Sequence, residues 1–357
     1  MIGEKIRLAR RANGLSLRDL ADLVGVSHTA IAKYEHGRDT PNSDLLLRLA
    51  QQLGVKIEYF FRDTTVNLSI PEYHKKTTLK RKQEKAIMAK IEEWLERYLA
   101  IEELFPNQQV LNESVIPAHL KDTVQNPEEL ENIAVQLREA WQLGLDPIEN
   151  FSDLLEDRGI KVGLLDGSDD FDSCTFTMED GTPVIALSRD LPGDRQRFNL
   201  AHELGHFFVK AEDKKIKEKS AHRFAGAFLV PAQMARLELG KHRNSINLYE
   251  LHLLKHKYGL SMQAWIYRAK DLGIISESTA NGLFKMFRRK GWHKEEPGDS
   301  LPPEEPKRME RLVMRALAED LISESRAAEL LSLPLDDFWR KVASEHDGLP
   351  AHEYIHK

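Results

Sequence analysis

Apolar positions in the first sixty residues recur every three to four places and break at glycines. Ile2, Ile6 and Leu8-Ala9 mark the inner face of a helix over residues 1–13, with Lys5, Arg7, Arg10 and Arg11 outward and Gly14 ending it. Ser16, with Asp19 in the third helical position, predicts a capped start for a helix over 17–24. Gly25 turns the chain, Ser27 caps a helix through Ala30, Ile31, Tyr34 and Glu35, and Gly37 ends it. Two further helical stretches, 43–53 and near 57–61, complete a five-helix unit. The pattern then changes. Residues 64–70 read as a short extended piece, 75–85 are basic, and 83–104 form a long helix with Ile87, Ile91, Trp94, Leu95 and Tyr98 on one face. Past Pro127, helices over 128–143 and 147–158 precede strands at 159–166, 174–178 and 183–188, the last two joined by Glu179-Asp180-Gly181-Thr182. Helical periods resume from about residue 198. The fold class expected is mainly α with a small β-sheet (α+β).

The chemistry concentrates in one of those helices. Phe198 to Phe208 contains H-E-x-x-H: His202, Glu203 and His206. On a helix His202 and His206 lie one turn apart on the same face, where two imidazoles can bind one divalent metal, usually zinc. Glu203 is placed to take the proton from a water that attacks a carbonyl. Leu200, Ala201, Leu204, Phe207 and Phe208 surround the motif, so the helix is buried on at least one side and its histidines need partners. A third ligand has to come from elsewhere. A second helix, ending at Pro231, carries Glu218 and, four residues on, His222. Either side chain could reach a metal held by the first helix.

With its flanks the motif reads R-Q-R-F-N-L-A-H-E-L-G-H over 195–206, then E-x-x-A-x-x-F-A-x-x-F-L-x-P over 218–231. This resembles the ImmA/IrrE family of zinc metallopeptidases. The resemblance implies a zincin-like domain with His202, His206 and Glu218 as metal ligands and Glu203 as general base. It also implies one Zn2+ per chain, with Mn2+ as the other candidate. Such sites usually carry Asn or Asp four residues after the ligand Glu, where this chain has His222. That departure leaves His222 either to orient a ligand or stabilise an oxyanion, or to compete with Glu218 for the metal.

The first unit resembles the lambda-repressor/Cro-like (XRE) helix-turn-helix fold through Leu20-Ala21, Gly25-Val26-Ser27, Ile31, Tyr34-Glu35, Gly37, Pro41 and Leu46. In that fold the second helix of the motif enters the major groove. The residues expected at DNA are Arg18, Ser27, His28, Thr29, Lys33 and Arg38: His28, Thr29 and Lys33 at bases or groove, Arg18, Arg38 and Lys33 at phosphates. Leu17 stands where the family often has a phosphate-contacting Gln, so one contact is absent.

Composition narrows the classes. The chain has 357 residues and a net charge of −6, so DNA contact must be local. Its single cysteine, Cys174, excludes a disulfide framework and a cysteine zinc site. No apolar run approaches a membrane span and the N-terminus has no signal-like core, which points to the cytoplasm. The divisions expected are 1–62 (helix-turn-helix), 63–125 (connector), 126–245 (metallopeptidase), 246–295 (helical, helix-turn-helix-like or winged), 296–306 (Pro-rich linker) and 307–357 (helical tail). A peptide could add to the edge of the small sheet, with amide protection then rising at 183–188. The partners expected are a double-stranded DNA operator bound as a homodimer, and a repressor-like protein substrate, which could be this chain itself. Members of the resembled family typically cut such repressors in phage, mobile-element or stress circuits. A different class, a transcription factor that senses a metal or ligand without proteolysis, is disfavoured by Glu203, which a purely structural metal site does not need.

Overall fold

The computed structural model describes residues 2–61, 72–74, 81–106, 117, 120, 129–166, 171–209 and 213–345. The order begins α1 (Ile2–Ala12), α2 (Leu17–Val24), α3 (His28–Glu35), α4 (Ser43–Leu53), a 3-10 turn (Ile57–Phe61), β1 (Glu72–His74) and α5 (Arg81–Glu102). It continues with α6 (Leu130–Ala140), α7 (Phe151–Asp157), β2 (Lys161–Leu165), β3 (Ser173–Thr177), β4 (Pro183–Ser188), α8 (Gly193–His206) and α9 (Lys214–Leu229). Then come α10 (Ala232–Leu239), α11 (Leu248–Tyr258), α12 (Met262–Asp271), α13 (Glu277–Lys290), α14 (Arg308–Ala318), α15 (Glu324–Leu330) and α16 (Leu335–Glu345). The chain divides into two compact units. The first takes Met1–Ser69, Thr77–Gln109 and Lys307–Lys357, and the second takes Ile70–Lys76 and Val110–Pro306. The extended piece expected at 64–70 lies outside the described residues.

In the first unit, α2 begins with a reciprocal cap: Ser16 Oγ accepts from the Asp19 N–H at 3.1 Å, and Asp19 Oδ2 accepts from the Ser16 N–H at 2.7 Å. Gly25 ends α2 with φ 70°, a left-handed conformation that a side chain disfavours. Ile6, Ala9, Leu20, Ile31, Leu49 and Phe60 form the core behind these helices. Two side chains of α1 depart from the local pattern. Lys5 and Arg10, expected on the solvent face, are buried. Lys5 Nζ donates to Glu96 of α5 at 2.5 Å, and Arg10 donates through Nε and Nη2 to Glu35 of α3 at 2.5 and 2.8 Å. Helix periodicity reports only which face is apolar. It cannot see that α5 arrives with a matching carboxylate. Ile87, Ile91, Leu95 and Tyr98 line the buried side of α5. Tyr98 and Ile101 share a core with Leu312, Val313, Ala316 and Phe338 of α14 and α16. The C-terminal helices, expected as a separate tail, are thus built into the unit that contains α5.

In the second unit, the described residues form a four-stranded sheet of order β1-β3-β4-β2. β2 pairs parallel with β4, and β3 pairs antiparallel with β4 and with β1. β4 is buried along its whole length, as its P-V-I-A-L-S run suits. The expectation that protection by an added peptide would appear at 183–188 is therefore corrected: β4 is paired on both sides, and peptide addition has to occur at an edge. Above the sheet, α8 and α9 lie against each other. A Cβ on Gly205 would stand 3.1 Å from the Phe224 ring and 3.2 Å from Ala221 Cα, so the glycine permits this close approach. Residues 246–295 do not form a separate helix-turn-helix or winged element. Leu251, Leu254, Trp265, Ile266 and Phe287 belong to the same core as Leu200, Leu204 and Phe224, and among the described residues no strand follows α13. No helix among the described residues is long and apolar enough to cross a membrane.

Residues 296–306, expected as a linker, instead run as a strap that caps helices. Glu296 accepts from the Met262 and Gln263 N–H groups at the start of α12, each at 3.0 Å. The Leu301 carbonyl accepts from the Gly193 N–H at 3.0 Å, and a Cβ at Gly193 would come within 2.1 Å of the Pro302 carbonyl oxygen. Glu304 Oε2 accepts from the first N–H groups of α7, Phe151 and Ser152, at 2.9 and 2.8 Å. Its other oxygen pairs with Arg197, and Gln196 exchanges two 2.6 Å hydrogen bonds with the Glu304 backbone. Proline here holds an extended strap rather than a loose spacer, because the free N–H groups of three nearby helix starts supply its partners. Breaking a buried charge pair leaves an uncompensated charge. Glu304→Ala is therefore expected to lower the unfolding free energy of this unit by about 3–5 kcal/mol in urea melts, with Gln intermediate.

Arg268, on α12, donates to the Val230 carbonyl at 2.9 Å and grips Glu131 of α6, which Arg223 of α9 also meets at 2.9 Å. Burial alone would raise the Glu131 carboxyl, but Arg268 and Arg223 outweigh it and hold it below its ordinary value. A carboxylate depressed in the folded state stabilises above its unfolded pKa and loses that contribution as pH falls through the folded one. Glu131→Gln should therefore flatten the loss of stability below about pH 4.5, read from denaturant midpoints across an acid series.

Candidate functional site

α8 carries a run of buried polar residues. His202 and His206 are almost inaccessible and Glu203 is wholly so. Such groups cost several kcal/mol unless partners meet them. The two histidines, one turn apart, bring their Nε2 atoms to 3.0 Å of each other. α9 contributes Glu218, whose Oε2 is 3.4 Å from His202 Nε2. One donor atom from each of His202, His206 and Glu218 lies within 4.8 Å of the others. Ligands about 2.1 Å from a tetrahedral ion stand about 3.4 Å apart, so this spacing and this donor set suit a divalent cation such as zinc. Glu218 is partly exposed while the histidines are not, which leaves the approach open on the Glu218 side.

His222 takes a different place. It is exposed, and its ring packs between two others. Its centroid is 4.3 Å from that of His202 and 5.6 Å from that of Phe198, with the Phe198 ring stacked nearly parallel. That packing fixes the plane of the His202 imidazole. Glu203, next to His202, points to the sheet: Ser173 Oγ donates to Glu203 Oε1 at 2.5 Å. Ser173 is the first residue of β3 and was not legible in sequence, because no local signal marks a strand's first serine as facing a helix 30 positions later. Its neighbour Cys174 is fully buried, and burial first, then the Glu203 charge, push its thiol well above the ordinary value. Cys174 is a buried apolar residue rather than a nucleophile. Arg195, at the start of the motif, is exposed. Arg197 does the bracing, donating to Glu304 and to the carbonyls of Ile148 at 2.5 Å and Glu149 at 3.3 Å.

In the first unit, Arg18, Ser27, His28, Thr29, Lys33 and Arg38 are all exposed on or beside α2 and α3. Ser27 is committed to capping: its Oγ accepts from the Ala30 N–H at 3.1 Å and lies 2.9 Å from Thr29 Oγ1. His28 and Lys33 occupy the first turn and the later part of α3, the element that the motif presents to a groove. Glu35 is turned inward to Arg10, so α3 is fixed to α1 from its buried side.

Residues 6–60 match the helix-turn-helix family, and residues 155–270 match the Peptidase_M78 family, described as the IrrE N-terminal-like domain. Among curated proteins, the chain is 29% identical over 72 residues to an uncharacterized SPbeta prophage-derived HTH-type transcriptional regulator of Bacillus subtilis (strain 168), covering 20% of this chain and 67% of that protein. It is 44% identical over 50 residues to Repressor protein C of Escherichia phage P2, covering 14% of this chain and 50% of that protein. The matched stretches thus span half to two thirds of those relatives. A crystal structure of Bacillus thuringiensis PlcR in complex with the peptide PapR7 and DNA aligns over 99% of this chain and 96% of that one, at 11% identity. Its TM-score is 0.18. The chain joins an N-terminal XRE-type helix-turn-helix domain to an ImmA/IrrE-like domain of the Peptidase_M78 family.

Proposed function

We propose that this protein is a DNA-binding transcriptional regulator carrying a zinc-dependent endopeptidase that cuts a repressor-like protein, or itself, in a phage, mobile-element or stress circuit. The observation that carries the peptidase reading is the convergence of His202, His206 and Glu218, with Glu203 held beside them by Ser173. His202, His206 and Glu218 would hold the ion, Zn2+ by preference and Mn2+ as the other candidate. When bound, the metal polarises the scissile carbonyl and lowers the pKa of water. Glu203 takes a proton from the attacking water at its carboxylate and passes it to the leaving amine. Ser173 keeps one Glu203 oxygen occupied and so aims the other. His222 and Phe198 keep the His202 ring in plane. The apolar wall of Leu200, Leu204 and Phe208 excludes bulk water from the far side of α8.

On the DNA side, α3 is the reading element. His28, Thr29 and Lys33 meet base edges or the groove, and Arg18 and Arg38 meet phosphates. Ser27 acts through its cap rather than through a base. Binding as a homodimer to a two-half-site operator follows the habit of the motif. A second reading, a regulator that senses a metal or ligand without cutting, is favoured by one finding: the curated relatives are named as a regulator and a repressor.

Two experiments bear on these readings. Purified protein should carry one zinc per chain by elemental analysis, lost in His202→Ala and kept in Glu203→Gln. Only the native chain should then yield new peptide termini by mass spectrometry with candidate repressors or alone. Cleavage by Glu203→Gln removes the general-base assignment, whereas zinc without any cleavage favours the sensing reading. Separately, His28→Ala or Thr29→Ala should change the preferred sequence in a binding selection, with each lost base contact worth about 1–3 kcal/mol. An unchanged preference would remove α3 as the reading element.

A further inference from the structure

If the site hydrolyses peptides, a substrate has to pass Glu203 in an extended form, and the sheet offers one strand that reaches it. β3 holds Glu203 through Ser173, and one side of β3 is taken by β4. The other side is where an extended peptide could add by backbone hydrogen bonds. That side is already paired with the chain's own connector. β1 runs antiparallel to β3 with Glu72 opposite Thr175, Tyr73 opposite Cys174 and His74 opposite Ser173. The backbone at His74 therefore stands one strand spacing, about 4.8 Å, from the residue that holds the catalytic carboxylate.

The sequence position of this strand is the second observation. Ile70–Lys76 belongs to the second unit, although the chain on either side of it, Met1–Ser69 and Thr77–Gln109, belongs to the first. Within this excursion, Glu72–His74 pairs with β3. Backbone pairing is tolerant of sequence, so a strand of this kind can stand in for many peptides. A tethered segment also competes at an effective concentration of roughly millimolar.

We propose that the connector strand Glu72–His74 is a built-in occupant of the peptide-binding edge of β3, which a protein substrate must displace to reach Glu203. The proposal rests on the peptidase reading for its meaning, but its test does not depend on turnover. Proline cannot donate to a strand ladder, and of two neighbouring strand residues one directs its N–H at the partner, so the double variant Tyr73→Pro/His74→Pro removes a donor whichever of the two faces β3 and should free that edge.

Hydrogen exchange of the full chain, followed by mass spectrometry with and without zinc, reads this directly. In this variant, the amides of Ser173–Thr177 that face β1 should exchange about tenfold faster or more than in the native chain, while those of Val184–Ser188, on a strand paired on both sides, stay unchanged. A synthetic peptide of residues 70–76, added to the zinc-loaded chain bearing Glu203→Gln, should bind about tenfold more tightly or better when Tyr73→Pro/His74→Pro is also present. Equal exchange at β3 in native and variant chains, or equal peptide affinity, overturns the proposal. Loss of protection at Val184–Ser188 would mean that the prolines disturbed the sheet, and Tyr73→Gly/His74→Gly, which weakens the strand without removing a donor, then serves as the second variant. If occupancy is confirmed but no chain ever cuts a peptide, it is the peptidase reading that fails. If peptides are cut while β3 stays open in the native chain, it is the occupant that fails.

Discussion

The burial of polar side chains along α8 is the constraint to which the second unit is fitted. Asp194, Gln196, Arg197, His202, Glu203 and His206 are all buried on one helix. Each needs a partner, since an unmet polar group inside a protein costs more than a met one returns. The partners come from distant parts of the chain. Lys255 of α11 meets Asp194 at 3.0 Å, the 296–306 strap meets Gln196 and Arg197, β3 supplies Ser173, and α9 supplies Glu218. The N-terminal half of α8 is thereby locked by charges, and its C-terminal half carries His202, Glu203 and His206.

That division has a physical logic. A metal centre needs its ligands held in geometry before the ion arrives, and rigidity has to come from contacts that are not themselves ligands. Lys255 illustrates the cost and its offset. Burial lowers the tendency of its ammonium to stay charged, yet Asp194 and Glu296 together raise its pKa above the ordinary value. The strap that carries Glu296 and Glu304 thus couples the starts of α7 and α12 through carboxylates placed at positive helix ends, and the start of α8 through the Leu301 carbonyl. The first unit joins its helices by a buried ion pair instead, with Arg10 linking α1 to the end of α3 through Glu35.

The sheet links this scaffold to the chemistry. Its interior strand β4 is apolar throughout, while β3 is the strand that touches Glu203. A mixed sheet with one such edge gives an extended backbone a defined direction past the site. The pairing of Glu72–His74 with β3 covers the side of that strand that β4 leaves open.

Sequence alone determined much of this protein. Helix caps and turns read correctly at Ser16, Gly25 and Asn-free starts such as Ser27, because caps are local hydrogen bonds set by neighbouring residues. The core faces of α1 and α5 followed from periodicity, and His202, Glu203 and His206 stood out because four-residue spacing and helix geometry are one fact. What tertiary structure decided was which distant group met each buried charge. Lys5 and Arg10 look like solvated residues until Glu96 and Glu35 arrive. Residues 296–306 look like a linker until helix N-termini take up their oxygens. Glu218 and His222, one turn apart on α9, are equivalent in sequence. Only the way α9 packs on α8, through the space left by Gly205, puts the Glu218 carboxylate beside His202 Nε2 and the His222 ring against the His202 ring. Local patterns fix hydrogen bonds a few residues apart, whereas partners separated by tens or hundreds of residues are chosen by packing.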